Sequence, residues 1–169
     1  MKEKVLVFDT SILCVWLGVP GKETCGPKGD RWDKERVEQR ITSEPKHTIF
    51  VLPLATILET GNHIAQAPRD RFAKANALGK LIAAAADGKS PWAAFILQSE
   101  LWGTEALQSL ATTWPKLANE HLSIGDATIE KVANYYEKMG YPVEILTGDQ
   151  QLKSREPAPT APVPRRRQR

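Results

Sequence analysis

The stretch VLVFDTSIL, residues 5–13, decides the fold. Val5–Phe8 is a continuous apolar run of β-formers, the pattern of a strand covered on both faces within a parallel sheet. Asp9, Thr10 and Ser11 then break the run with N-cap chemistry for a short helix over residues 12–17. A strand that hands the chain directly to a helix through an acidic residue is the opening of an α/β layout.

Outward from there, residues 18–30 hold four Gly and two Pro and read as loop, and residues 31–43 as a charged, solvated helix. A second strand spans 48–52 and is closed by Pro53. Leu54–Gln66 turns helical, with Leu54, Ile57, Leu58, Gly61 and Ala65 on one face. Another helix starts at Pro68, carries a stripe of Phe72, Ala75, Gly79, Ile82 and Ala86, and stops at Asp87-Gly88. Residues 91–120 give the weakest signal: Trp92, Trp102 and Trp114 suit packed helices, while 92–97 also suits a strand. Residues 123–139 form a helix with Ile129, Val132, Ala133 and Tyr136 inward. Val143–Leu146 is the closing strand, and Thr147-Gly148-Asp149 the turn leaving it. The alternation predicts a mostly parallel central sheet flanked by helices, an α/β/α sandwich.

Composition sets the bounds. With 169 residues, 41% of them hydrophobic and 25% charged, the chain suits one ordinary globular domain. Residues 155–169 hold five Arg and one Glu, a charge of +4, which leaves residues 1–154 at −1 of the chain's +3. We therefore read 1–154 as the domain and 155–169, with four Pro, as a disordered basic tail. Cys14 and Cys25 make neither a disulfide framework nor a zinc motif. Lys2 and Lys4 ahead of apolar residues imitate a signal peptide, but Asp9, Thr10 and Ser11 interrupt it without a cleavage site. No run approaches the ~20 apolar residues of a membrane span. The expectation is a cytoplasmic protein without membrane contact.

Four acids stand where an acid is otherwise awkward. Asp9 and Asp149 follow strands, Glu59 interrupts the apolar LATILETG, and Asp126 opens the helix SIGDATIEKVANYY. Ligands of open parallel sheets bind beyond the carboxyl ends of the strands, so these carboxylates are expected to share a rim. Asp9, Asp126 and Asp149 have plainer accounts as cap or turn residues, and Glu59, the hardest to dismiss, as a partly exposed edge of its helix stripe. Hard oxygen donors without Cys or His favour Mg²⁺ or Mn²⁺, and two such ions roughly 3.5–4 Å apart suit phosphodiester hydrolysis. His63 shares a helix face with Glu59; it and Asn62 are supporting candidates, with a hydrogen-bonded rim histidine as the plainer account. Arg165, Arg166, Arg167 and Arg169 can hold nucleic-acid phosphates or serve a protein partner. For Arg69, Arg71, Lys74 and Lys80 a solvated helix face is the simpler account.

These residues resemble a family. VLVFDTSIL is similar to the opening strand of PIN domains, whose first acid precedes Thr or Ser; TILETGNHI resembles the helix with their conserved Glu. GDATIEKVANYY is similar to their third-acid helix, and EILTGDQQL to their closing strand with its T-x-D. The resemblance runs from Val5 to about Leu152. It implies a PIN-like fold and a metal-dependent ribonuclease, with Asp9, Glu59, Asp126 and Asp149 as metal ligands and catalytic residues. Thr10 or Thr147 would orient a ligand or water. VapC-type toxins are short members of the family, which implies RNA as substrate, an antitoxin or other protein partner, and a homodimer. Residues 18–47 lengthen the interval from Asp9 to Glu59, and 91–120 has no counterpart. Two alternatives remain: a catalytically inactive RNA-binding or scaffold module, and a haloacid-dehalogenase-like phosphatase. The latter needs a second acid two residues after the first, where this chain has Ser11.

Overall fold

The computed structural model describes residues 3–158. Its sheet has three parallel strands, β1 (Val5–Phe8), β2 (Ile49–Val51) and β3 (Val143–Leu146), in the order β2-β1-β3. The helices are α1 (Thr10–Leu17), α2 (Lys34–Thr42), α3 (Leu54–Gln66), α4 (Arg71–Ala86), α5 (Thr104–Asn119), α6 (Ile124–Lys138) and the single turn α7 (Gln150–Lys153). The α/β class and the parallel sheet are as expected. None of the helices is long and apolar enough to cross a membrane.

The central strand shows why the sheet is covered twice. All four residues of β1 are fully buried. Leu6 and Phe8 belong to the core formed with α1, α3 and α4, whereas Val5 and Val7 pack with Ile129, Val132, Ala133 and Tyr136 of α6. The inward face expected for α6 is the one observed. Parallel pairing sets Phe8 beside Leu146, and Asp9 N–H donates to the Leu146 carbonyl at 3.1 Å. Asp9 and Thr147 are thereby neighbours at the carboxyl ends of β1 and β3.

Three expectations are corrected. α1 begins at Thr10, two residues early, because Asp9 itself caps it. On α3 the buried positions are Thr56, Thr60 and Ile64, while Leu58 is 58% exposed and Ala65 is exposed. Thr56 Oγ1 donates to the Phe8 carbonyl at 2.8 Å, so a hydroxyl does what a purely apolar pattern assigns to leucine. α4 begins at Arg71 after a left-handed Asp70 and buries Leu78 and Ala85, leaving Phe72 82% exposed. Its run of small apolar residues, Ala83–Ala86 among them, makes several faces look alike to a periodicity argument.

The 91–120 region resolves into a 3-10 segment, Phe95–Trp102, followed by α5. The strand reading of 92–97 is reduced to one parallel bridge, Trp92 beside Phe50, whose ring it meets edge-on. At the other edge, Glu144 of β3 accepts from Lys4 Nζ at 2.5 Å and Arg40 at 2.7 Å, while Glu44 accepts from Lys4 at 2.8 Å and also from Arg40. Burial alone would raise both carboxyls, but hydrogen bonds from Lys4 and Arg40 hold Glu44 below the ordinary 4.5, and the Lys4 hydrogen bond together with the charges of Lys153, Lys4 and Arg40 does the same for Glu144. Beyond Lys153, Arg155 pairs with Glu120 and Glu130, and Glu156 accepts from the Ile145 N–H. Residues 159–169 of the expected tail, including Arg165, Arg166, Arg167 and Arg169, lie outside the described residues.

Candidate active site

Asp9 is fixed from two directions. Its Oδ2 accepts from the Ser11 N–H at 3.2 Å and the Ser11 hydroxyl at 2.6 Å, which starts α1. The same oxygen accepts from Thr147 Oγ1 at 2.8 Å, across the rim from β3. Ser11 Oγ in turn accepts from the Gly148 N–H at 3.0 Å. Asp9 is only 4% exposed, so these hydroxyls supply the polar partners that a buried carboxylate requires.

The other three acids approach from separate elements. Glu59, on α3, accepts from Thr10 Oγ1 at 2.8 Å. Its second oxygen occupies the space over Gly125, where a Cβ would stand 2.0 Å away. Asp126 follows in α6 and exchanges hydrogen bonds with Ser123: Ser123 Oγ donates to its carboxylate at 2.8 Å and accepts its N–H at 3.0 Å. The Asp126 N–H to Ser123 Oγ bond is the N-cap half of the arrangement that the S-x-x-D spacing predicts, while the carboxylate meets the Ser123 hydroxyl. Asp149 is exposed and caps α7, accepting the N–H groups of Gln151 and Leu152, while its own N–H donates to Thr147 Oγ1.

All four acids line one cleft of about 420 Å³ with Thr10 and His63. Burial raises the Asp126 carboxyl above the ordinary 3.8, and the charges of Asp9, Asp149 and Glu59 push it the same way. Burial also lowers His63; Lys22 reinforces that and Glu59 opposes it. Each carboxylate leans on its own hydroxyl or amide donors. As they stand, among the described residues no three Asp, Glu, His or Cys side chains are close enough together to hold a metal ion. Asn62 is exposed on α3 and is not part of the cleft wall. Thr147 supports Asp9 from behind.

A larger hollow of about 650 Å³ lies on the outer side of β3, bounded by Trp32, Arg36 and Lys153 and meeting the cleft at Asp149. Of the carboxylates on its wall, Glu144 is taken up by Lys4 and Arg40 and Asp30 by Arg36, whereas Asp149 is shared with the smaller cleft, which is the candidate site.

Thr10 and His63 were named from the sequence, but other non-acidic residues of the cleft were passed over. Lys22 and Cys25 come from the Gly-rich loop, which has no periodicity to reveal them. Cys25 Sγ fills the place of a side chain at Gly148, where a Cβ would meet it at 2.5 Å. Burial raises the Cys25 thiol above its ordinary 9.0, against a hydrogen bond from Ser11. Cys14 lies deeper, and burial pushes it up to about 11. Both are protonated at neutral pH and act as packing groups. Compared with known proteins, the chain matches no family model and no curated relative.

Proposed function

We propose that the protein is a divalent-metal-dependent ribonuclease of the PIN type. The observation that carries this reading is the meeting of Asp9, Glu59, Asp126 and Asp149, from four different elements, in one cleft beyond the carboxyl ends of a parallel sheet. Unneutralised, such a set repels itself: beyond the larger effect of burial, the charges of Asp9, Asp149 and Glu59 also push the Asp126 carboxyl up. The donor set is all carboxylate oxygen, which fits Mg²⁺ or Mn²⁺. The bare Cα of Gly125 leaves Glu59 room beside Asp126.

Asp9, Glu59, Asp126 and Asp149 would hold the cation, which when bound supplies the activation of water and the stabilisation of the leaving oxygen in phosphodiester hydrolysis. The chain's own contribution is placement. Thr147 and Ser11 fix Asp9, and Thr10 aims Glu59. Ser11 also argues against the phosphatase reading. That chemistry needs an acid there, and the Ser11 hydroxyl is engaged between Asp9 and Gly148.

Purified protein is expected to cleave single-stranded RNA in Mg²⁺ or Mn²⁺ and to stop in EDTA. Asp9→Asn keeps a residue type competent to cap α1, and Asp149→Asn does the same for α7. Each should lose cleavage by at least about a hundredfold, the scale of a removed electrostatic element, with an unchanged circular dichroism spectrum. An Asp149→Asn protein of wild-type activity would falsify the site.

A further inference from the structure

Among the ten or so side chains around the acidic cleft, one is a cation without a counter-ion. Lys22 lines the cleft, yet among the described residues its ammonium makes no ion pair. Its position is fixed by the backbone. Gly18 closes α1 in a left-handed conformation, Val19 N–H donates to the Cys14 carbonyl at 3.0 Å, and Lys22 N–H donates to the Val19 carbonyl at 2.9 Å. Val19 is fully buried, and the loop is clamped further on by Cys25 against Gly148 and by the Cys25–Trp32 bridge. The loop therefore presents Lys22 to the cleft on the side of His63 and Cys14, where its charge is felt by both.

We infer that Lys22 is the substrate-gripping residue of this site, holding a non-bridging phosphate oxygen of the RNA strand as it enters the cleft. The inference rests on the ribonuclease reading. Its logic is charge balance. Lys22 shares the cleft with four carboxylates yet pairs with none of them among the described residues, so its ammonium is left for a further anion. The incoming phosphodiester brings one further negative charge, and Lys22 is the unpaired cation on the wall it meets. An ammonium suits this task as a compact, rotatable donor, and a charge-assisted hydrogen bond to phosphate is among the stronger contacts available.

The test uses the full chain and a 5′-labelled single-stranded oligoribonucleotide in Mg²⁺. In an Asp149→Asn background, where cleavage is suppressed, adding Lys22→Ala should weaken binding roughly tenfold. It should also flatten the salt dependence by about 0.7 in slope, one phosphate contact on a single strand. In the otherwise wild-type chain, Lys22→Ala should raise KM by a similar factor with kcat within about threefold, since the contact is made before the chemistry. Lys22→Arg should restore the slope, and Lys138→Ala, an exposed position at the far end of α6, should change neither quantity. Lys22→Gln keeps the side-chain length should alanine disturb the turn, and its melting temperature checks the fold. If wild type cleaves RNA while both Lys22→Ala and Lys22→Gln keep its affinity and slope, the inference is overturned and the nuclease reading stands. If wild type neither binds nor cleaves RNA, both fall together.

Discussion

A Cβ at Gly125 would stand 2.0 Å from Glu59 Oε1 and 2.9 Å from its carboxyl carbon, so position 125 admits no side chain while Glu59 keeps its place. The obstacle is the far end of a flexible side chain, and that decides the sign of the expected effects. Gly125→Ala should gain up to about 1 kcal/mol of helix propensity by pushing the Glu59 carboxylate aside. In EDTA the variant should melt at or above the wild-type temperature. Mg²⁺ should then raise its melting temperature less than it raises that of wild type, because a ligand stabilises only as far as its affinity for the native state allows. Equal Mg²⁺ shifts in the two proteins would show that Glu59 takes no part in binding the cation.

Among the helices, the faces of α3 and α4 give the sharpest energetic contrast. Leu78 is 5% exposed and packs into the core, whereas Phe72, one and a half turns earlier on the same helix, is 82% exposed. Leu78→Ala is expected to cost 2–5 kcal/mol, roughly the range for truncating a buried leucine. Phe72→Ala should stay within about 0.5 kcal/mol. Urea denaturation of both variants checks this, and a larger loss at Phe72 would mean that the face is covered in solution. The sequence pattern assigned Phe72 to the core and left Leu78 out, for a physical reason. α4 rests mainly on another helix, and with alanines on several faces its apolar period has no single phase. Where an element packs against the sheet, the pattern is unambiguous: β1, the inward face of α6 and the strand-to-helix turn at Asp9 were all legible. The positions of Asp9 and Asp149 were legible as well, since a carboxylate after an apolar strand is conspicuous. The loop carrying Lys22 and Cys25 was opaque, because its shape comes from glycine conformations and from one thiol packed against Gly148.

At the scale of the whole molecule, Lys4, Arg40, Glu44 and Glu144 tie the start of β1, the end of α2 and the edge strand β3 into one ionic cluster. The Glu44 side chain is only 3% exposed. Glu44 and Glu144 are held below their ordinary 4.5 in the folded protein. The stability they contribute is therefore fully present above pH 4.5 and is lost as the pH falls through their lowered folded values. Melting temperature should drop steeply on acidification below that point. Glu44→Gln should destabilise the fold at neutral pH by on the order of 2 kcal/mol for the charge-assisted hydrogen bonds lost, lowering the melting temperature there, and should make the acid limb shallower. An acid limb unchanged by Glu44→Gln would assign acid unfolding to other carboxylates.

The hydrogen bond between Thr147 and Asp9 joins residues 138 positions apart. Its consequence is one of timing during folding. β1 meets β2 across some forty residues but meets β3 only after nearly the whole domain has been threaded out. Closing the longer loop carries the larger entropy cost. The first acid of the cleft thus waits through most of the chain's synthesis for the last one, and a polypeptide interrupted before Val143 carries three of the four carboxylates with no rim on which to gather them.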